Sequence, residues 1–156
     1  VNSAADAEAA VRATRYPPDG DRSIGPTRAI RIFGEACVEQ AGKAIQCIPM
    51  IETRRALENL DEILAVPGVD LVYVGPSDLS VNLGLGRGNN DGKPAFDEAL
   101  AAILDACRHH GVVPGIHANA SLAKQRLEAG FRVVTVAEDD TAMLSGLATV
   151  LEGLGR

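Results

Sequence analysis

The sequence predicts an α/β fold built on parallel strands, and three observations carry that expectation. Four apolar runs, Ile45–Ile51, Val69–Val74, Val112–Ile116 and Phe131–Ala137, are short, rich in β-branched residues and without clean alternation. That is the pattern of strands covered on both faces. Each run is followed by a turn and then by a segment of helical period, and strand–helix alternation implies parallel strands joined by right-handed crossovers. Two architectures satisfy this order: a small doubly wound sheet, and half of an eight-stranded βα barrel. Periodicity alone does not separate them, and in both the chemistry belongs at the carboxyl ends of the strands.

Two helical stretches precede the first run. One follows Ser3, a cap with Asp6 three residues on. The other starts near Pro26 and carries Ile30, Phe33, Ala36 and Cys37. A Pro- and Gly-rich loop, Arg15 to Gly20, separates them. After the first run, Leu57, Leu60, Ile63 and Leu64 line one face of a helix over residues 53–64, which Pro67-Gly68 stops. After the second, a Gly-rich stretch from Gly84 to Gly92 leads to a helix from about Pro94, with a stripe of Phe96, Leu100, Ile103, Leu104 and Cys107 and with Gly111 just past its end. After the third, Asn119 or Ser121 caps a helix carrying Leu122 and Leu127 and closed by Gly130. After the fourth, Asp140 caps a helix with Met143, Leu144, Leu147, Val150 and Leu151.

The chain has 156 residues, of which 46% are hydrophobic and 23% charged, so a packed core and a single domain over residues 1–156 are expected. A net charge of −6 with only 3% aromatics argues against nucleic acid as a partner. No apolar run reaches the ~18 residues of a membrane-spanning helix. The opening Val1-Asn2-Ser3 is neither an initiator Met nor a charged leader, and the expected compartment is the cytoplasm. Cys37, Cys47 and Cys107 are odd in number and widely spaced, with no CxxC pair, and read as reduced small hydrophobes.

The first strand ends in Ile51-Glu52-Thr53 and the second in Val74-Gly75-Pro76-Ser77-Asp78. Glu52 and Asp78 thus come to neighbouring strand ends. Adjacent anions tolerate each other when they share a proton or a cation, and oxygen ligands without His or Cys suit magnesium or manganese. The plainer alternative has Glu52 capping the next helix and Asp78 serving a turn. Gly75 permits close backbone approach, and the N–H groups that follow it can cradle an anion.

The segments Ile51-Glu52-Thr53, Ala56 to Ile63, Pro67-Gly68-Val69-Asp70, Val74 to Ser80 and Leu83-Gly84 together resemble the HpcH/HpaI aldolase/citrate lyase family, with the class II pyruvate aldolases as the nearest likeness. Ala13 to Pro18 with Gly20 and Arg22, and Pro114-Gly115-Ile116 near Ala118-Asn119, match that group too. The resemblance implies the C-terminal half of a TIM-type βα barrel of the phosphoenolpyruvate/pyruvate kind. It implies Glu52 and Asp78 as ligands of a divalent ion (Mg, Mn or Co), and Gly75, Pro76, Ser77 and Asp78 as the loop whose N–H groups hold a 2-oxo acid's carboxylate. The implied reaction is reversible cleavage of a 4-hydroxy-2-oxo acid to pyruvate and an aldehyde, as in aromatic-compound catabolism. The cation would stabilise the pyruvate enolate. No Schiff-base lysine is required, and Lys43, Lys93 and Lys124 all lie away from the predicted strand ends.

The family's general base, a His, and its enolate-facing Arg belong to the first half of the barrel, and Val1-Asn2-Ser3 matches the end of its fourth strand. The expectation is therefore an incomplete barrel, inactive alone, with a naturally short relative as the alternative. No catalytic residue is assigned within the chain. A citryl-CoA-lyase-like enzyme and a non-catalytic binding or assembly module are the rival functions. A homo-oligomer is expected, since the family's final helix packs on neighbouring subunits.

Two positions depart from the family. Met50 stands where some members carry a substrate-binding Gln, and His117 where an apolar residue is common. His117 reads either as a partly buried strand-end residue with a local hydrogen bond or as a group acting on the aldol hydroxyl. His109-His110 read as complementing a helix dipole, Arg54-Arg55 as a solvated face or a contact to an acidic substrate, Asp139-Asp140 as an N-cap rather than a metal site, and Arg15 and Arg22 as parts of a structural loop with a functional role as the alternative.

Overall fold

The computed structural model describes residues 1–155. Three helices, α1 (Ala4–Thr14), α2 (Thr27–Phe33) and α3 (Ala36–Ala44), precede β1 (Met50–Ile51). Then follow α4 (Arg54–Glu58), α5 (Leu60–Leu64), β2 (Leu71–Val74), α6 (Pro76–Asn82), α7 (Pro94–His110), β3 (Val113–His117), α8 (Ala120–Ala129), β4 (Val133–Thr135) and α9 (Asp139–Gly153).

The strand order separates the two architectures. The sheet runs β1-β2-β3-β4, every pair parallel. A doubly wound sheet reverses its strand order at a switch point, whereas sequential winding with one hand places every crossover on the same face. The four strands are an arc of a βα barrel.

Burial agrees with this winding. On the helix-covered face Ile51, Val72, Val74 and Ile116 are all 0% exposed. They pack with Ile63, Phe96, Ile103 and Phe131 in one core, and each such side chain contributes ~1.5–3 kcal/mol by burial. The expectation of strands covered on both faces is corrected here. On the opposite face Met50, Val113 and Val133 are 38–40% exposed, because no element of the described chain packs over them.

The local boundaries follow from the caps. Ser3 Oγ caps α1 as the sequence suggested, accepting from Asp6 N–H at 3.2 Å, while Asp6 accepts from Asn2 N–H, one residue before the cap, at 2.8 Å. The stretch from Pro26 through Cys37, read as one helix, is two: Gly34 takes φ 80° between α2 and α3. The helix over 53–64 also divides, at Asn59, whose side-chain amide donates to the Asn2 carbonyl at 2.8 Å. The first predicted strand shortens to Met50–Ile51, with one bridge from Cys47 to Val69 before it. Asn119 caps α8 as expected, accepting from Ser121 and Leu122 N–H, although Leu127 is 53% exposed. Glu138, and not Asp140, is the N-cap of α9; Asp139 and Asp140 lie inside its first turn. No residue of α9 is buried.

Gly115 is dictated by packing. A Cβ there would lie 2.9 Å from Tyr73 Cδ2 and 3.1 Å from the Val72 carbonyl oxygen. Its absence lets the Tyr73 ring cross β3 so that its hydroxyl hydrogen-bonds Thr135 Oγ1 on β4. Gly115→Ala is expected to destabilise the protein by ~1–3 kcal/mol, since the obstruction is a strand carbonyl and a ring held at both ends. Urea unfolding of the variant beside the wild type measures it.

Candidate active site at the strand ends

Register decides which side chains meet. In parallel strands, directly paired residues face the same side. Met50, Tyr73, Gly115 and Val133 are partners in turn and form one row on the open face. Two residues further along each strand lies the next row, at the carboxyl rim: Glu52, Gly75, His117 and Thr135. His117 and Thr135 are themselves paired.

Glu52 and Gly75 are in contact. A Cβ on Gly75 would stand 2.5 Å from Glu52 Oε2 and 2.9 Å from Met50 Cε. Only a residue without a side chain lets the Glu52 carboxylate lie across the end of β2, with Met50 as its apolar neighbour. Glu52 is not the cap of the next helix, because Thr53 fills that role, its Oγ1 accepting from Ala56 N–H at 3.0 Å. The Glu52 carboxylate makes no hydrogen bond or ion pair among the described residues.

The segment read as a Gly-Pro loop is the start of a helix. Pro76 occupies the first turn of α6, where its missing N–H costs nothing, and Leu79 N–H is the first to bond back, to the Gly75 carbonyl at 2.9 Å. The N–H groups of Ser77 and Asp78 therefore have no helical acceptor and point out of the helix start. Both side chains are exposed, and the Asp78 carbonyl accepts from Asn82 Nδ2 at 3.0 Å. Among the described residues no cluster of three or more His, Cys, Asp or Glu is assembled, so Glu52 and Asp78 form at most a two-carboxylate set.

His117 Nε2 lies 3.3 Å from Glu138 Oε1, on the β4 side of the rim. Between the start of α6 and the start of α8 is a cleft of about 190 Å³, lined by Ser77, Phe96, His117, Asn119 and Arg126 among others. Arg126 is 5% exposed and its guanidinium bonds Asp91 at 2.6 Å. Sequence reasoning missed this pair, because an Arg on the polar face of a helix reads as solvated. It also missed Tyr73 and Thr135, for which a Tyr two residues before the strand's final Gly was the available signal.

The remaining expectations resolve plainly. Arg15 is buried and donates to the Ile45 carbonyl at 2.5 Å, a structural role. Arg22 stacks over the Tyr16 ring at 5.0 Å. His110 ends α7 and meets Asp61 at 2.9 Å. Arg54 and Arg55 are exposed at the start of α4. Lys93 Nζ is held by Asn90 Oδ1 at 2.6 Å, beside the cleft that Asn90 helps to line. No helix among the described residues is long and apolar enough to cross a membrane.

Residues 1–145 match the family model described as HpcH/HpaI aldolase/citrate lyase. The chain belongs to the HpcH/HpaI aldolase/citrate lyase family. A protein of Klebsiella pneumoniae subsp. pneumoniae named 4-hydroxy-2-oxo-heptane-1,7-dioate aldolase is 44% identical over 153 residues, covering 94% of this chain and 56% of the relative. A protein of Rhizorhabdus wittichii named hydroxypyruvate/pyruvate aldolase is 38% identical over 149 residues, covering 95% of this chain and 59% of the relative. Among solved structures, an HpcH/HpaI aldolase/citrate lyase family protein from Burkholderia cenocepacia superposes with a TM-score of 0.85 at 32% identity, over 100% of this chain and 63% of that one. The chain thus spans somewhat under two thirds of the length of these relatives. It is an aldolase/lyase-family chain whose β1–β4 arc belongs to a barrel.

Cys107 is buried, and burial pushes its thiol up to about 11; burial also raises Cys47, while Cys37 is partly exposed. At pH 8 a group with that value is thiolate in about one molecule in a thousand. Ellman's reagent at pH 8 is expected to react quickly with one thiol, Cys37, and with the other two only after denaturant is added.

Proposed function

We propose that this chain supplies the ion- and carboxylate-binding half of a divalent-metal-dependent aldolase. The whole enzyme would reversibly cleave a 4-hydroxy-2-oxo acid to pyruvate and an aldehyde. The observation that carries the reading is the Glu52 carboxylate lying unpartnered against Gly75, at the head of a helix whose first N–H groups are free.

The residues fit the group. Two carboxylates with no His or Cys form a hard oxygen set, which magnesium, manganese or cobalt completes with water and substrate oxygens. Glu52 and Asp78 would hold the ion, and Gly75 leaves room for the Glu52 carboxylate that would ligate it. When bound, such an ion supplies Lewis-acid stabilisation of the negative charge that develops on the keto oxygen as the carbon–carbon bond breaks. Ser77 and Asp78 N–H groups bind the 2-oxo acid's carboxylate and orient it, helped by the positive end of α6. Met50 presents its methyl-thioether beside Glu52, near the end of β2. The proton carrier and the Arg facing the enolate come from outside these residues, in keeping with relatives that are longer than this chain. The names of those relatives support an aldolase and its pyruvate half. The uncovered apolar residues of α9, Met143, Leu144, Leu147 and Val150, support assembly into a homo-oligomer.

In the full-length protein, EDTA is expected to abolish release of pyruvate from a 4-hydroxy-2-oxo acid, and magnesium, manganese or cobalt to restore it. Glu52→Gln lowers kcat/KM by ~10²–10³-fold. A rate indifferent to chelation, or to Glu52→Gln, would remove the reading.

Gly75→Ala drives a methyl group into Glu52 Oε2. It is expected to weaken manganese binding ~10–100-fold, as displaced ligand supports do. Isothermal titration of the variant measures the affinity.

A further inference from the structure

The loop between α6 and α7 combines great backbone freedom with a specific restraint. Gly84, Gly86, Gly88 and Gly92 take φ of 80°, 77°, 109° and 84°, in the left-handed region that glycine enters without steric cost. A chain so rich in glycine has many other courses open to it, and fixing one costs ~1–2 kcal/mol per residue. Side chains near its end hold the observed course. Asn90, 3% exposed, donates through Nδ2 to the Gly86 and Gly88 carbonyls at 3.1 and 3.2 Å, and Lys93 Nζ donates to Asn90 Oδ1 at 2.6 Å. All of these bonds lie within the loop. Asp91 reaches out of it, to the Arg126 guanidinium of α8 at 2.6 Å.

This pair is a poor stabiliser. The Arg126 and Asp91 side chains are 5% and 15% exposed, and Arg126 Nε and Asp91 Oδ2 are both buried without a partner among the described residues. One bond is made between groups that could make a fork of two. An ion pair buried in this state recovers little of its desolvation cost, and an apolar pair of like volume would hold the fold at least as well. An apolar pair would not supply direction, however. The guanidinium sits over the Phe96 ring at 6.0 Å and offers the loop's carboxylate one place to stand.

The course of the loop bears on the start of α6. That helix has seven residues and buries only Leu79 and Ser80. The loop leaves its C-terminal end, where Leu85 N–H bonds the Ser80 carbonyl at 2.9 Å. It then returns to its N-terminal end, where Gly88, Asn89 and Asn90 line one cleft with Pro76 and Ser77. A short helix with little burial of its own is thus bracketed by the loop that Asp91 anchors.

We infer that the Asp91–Arg126 pair is a latch for the loop over residues 84–92, and that through this loop Asp91 and Arg126 act as positioning residues for the N–H groups of Ser77 and Asp78. For what those N–H groups bind, a 2-oxo acid's carboxylate, the inference rests on the aldolase reading. Neither Asp91 nor Arg126 touches the substrate. With the latch broken, the loop samples other courses, the start of α6 loses its fixed direction, and the carboxylate binds more weakly.

The test replaces the pair by apolar residues of similar summed volume, Asp91→Val with Arg126→Met, in the full-length protein. Two readings are taken beside thermal unfolding. Native-state trypsin cleavage between Arg87, which is exposed in the loop, and Gly88 reports how often the loop opens, and needs no activity. Exchange of the pyruvate methyl protons with deuterium oxide at saturating manganese, followed against pyruvate concentration, gives KM and kcat for the enolate half. The expected variant unfolds within a few degrees of the wild type, is cut after Arg87 at least ~10-fold faster, and shows a pyruvate KM raised ~10-fold with kcat held within ~2-fold. A wild-type rate of cleavage overturns the latch. Faster cleavage with an unchanged KM, or with the loss in kcat alone, overturns the positioning role and leaves the aldolase reading standing. Absence of exchange in the wild type overturns the aldolase reading, while the cleavage rates still decide the latch. If the double variant does not fold, Asp91→Asn is judged by the same readings; if neither folds, the pair serves the fold itself and the inference is overturned.

Discussion

The register of four parallel strands is the constraint on which the rest depends. Ile51 opposite Val74, Val74 opposite Ile116 and Ile116 opposite Val134 put one unbroken apolar row against the helices. The residue after each of the first three, and Thr135 after the fourth, is thereby turned to the open face. A slip of one residue in any pair would bury Glu52 or His117 among Ile63 and Ile103 and bring Val74 or Ile116 to the rim. Hydrophobic burial therefore aims the polar rim as well as stabilising the sheet. The charged side chains need no strong interaction of their own to stand where they do.

Within that frame, two glycines do what no other residue type permits, and by the same means. Gly75 makes room for a carboxylate and Gly115 for an aromatic ring, each at a point where a β-carbon would meet atoms within 3 Å. The Tyr73 ring laid across Gly115 ties β2 to β4 through Thr135 and so braces the strand between them. The brace lies one row beneath the rim and limits how far β3 can move relative to the ends of β2 and β4. A short, one-sided sheet with Met50, Val113 and Val133 exposed gains more from such a tie than a sheet packed on both faces would.

The legible part of the architecture was the part governed by periodicity and by caps. α7 begins at Pro94 and ends before Gly111, and α8 begins after Asn119, where the sequence places them. Glu52 was legible as a strand-end carboxylate because it follows an apolar run directly, and Asp78, in the first turn of α6, because only Gly75-Pro76-Ser77 separate it from one. The breaks at Gly34 and Asn59 were not, because each is fixed by a contact distant in sequence or by one backbone angle inside a continuous helical pattern. The sidedness of the sheet was hidden for a related reason. A strand covered by helices on one face and lying open on the other still carries Val and Met outward, and composition cannot tell an open lumen from a filled one. The buried Asp91–Arg126 pair was invisible because only the fold brings a Gly-rich loop onto the polar side of α8.

The geometry also divides the labour among rim residues. Neighbouring strands stand ~4.8 Å apart, so His117, two strands from Glu52, has its Cα about 10 Å away. Its imidazole leans further off, toward Glu138 beyond β4. Under the proposed function, an ion held by Glu52 and Asp78 and a 2-oxo carboxylate on the N–H groups of α6 would bring the reacting carbon near β1 and β2. A base for that carbon must come within ~3 Å of its proton, directly or through one water, and His117 is on the wrong side of β2 to do so. The row of Glu52, Gly75 and His117 thus sets the proposed ion and carboxylate contacts over the first two strands and leaves the imidazole over the third, turned toward Glu138. Under that reading, proton abstraction would fall to a group that reaches the rim from across the open face.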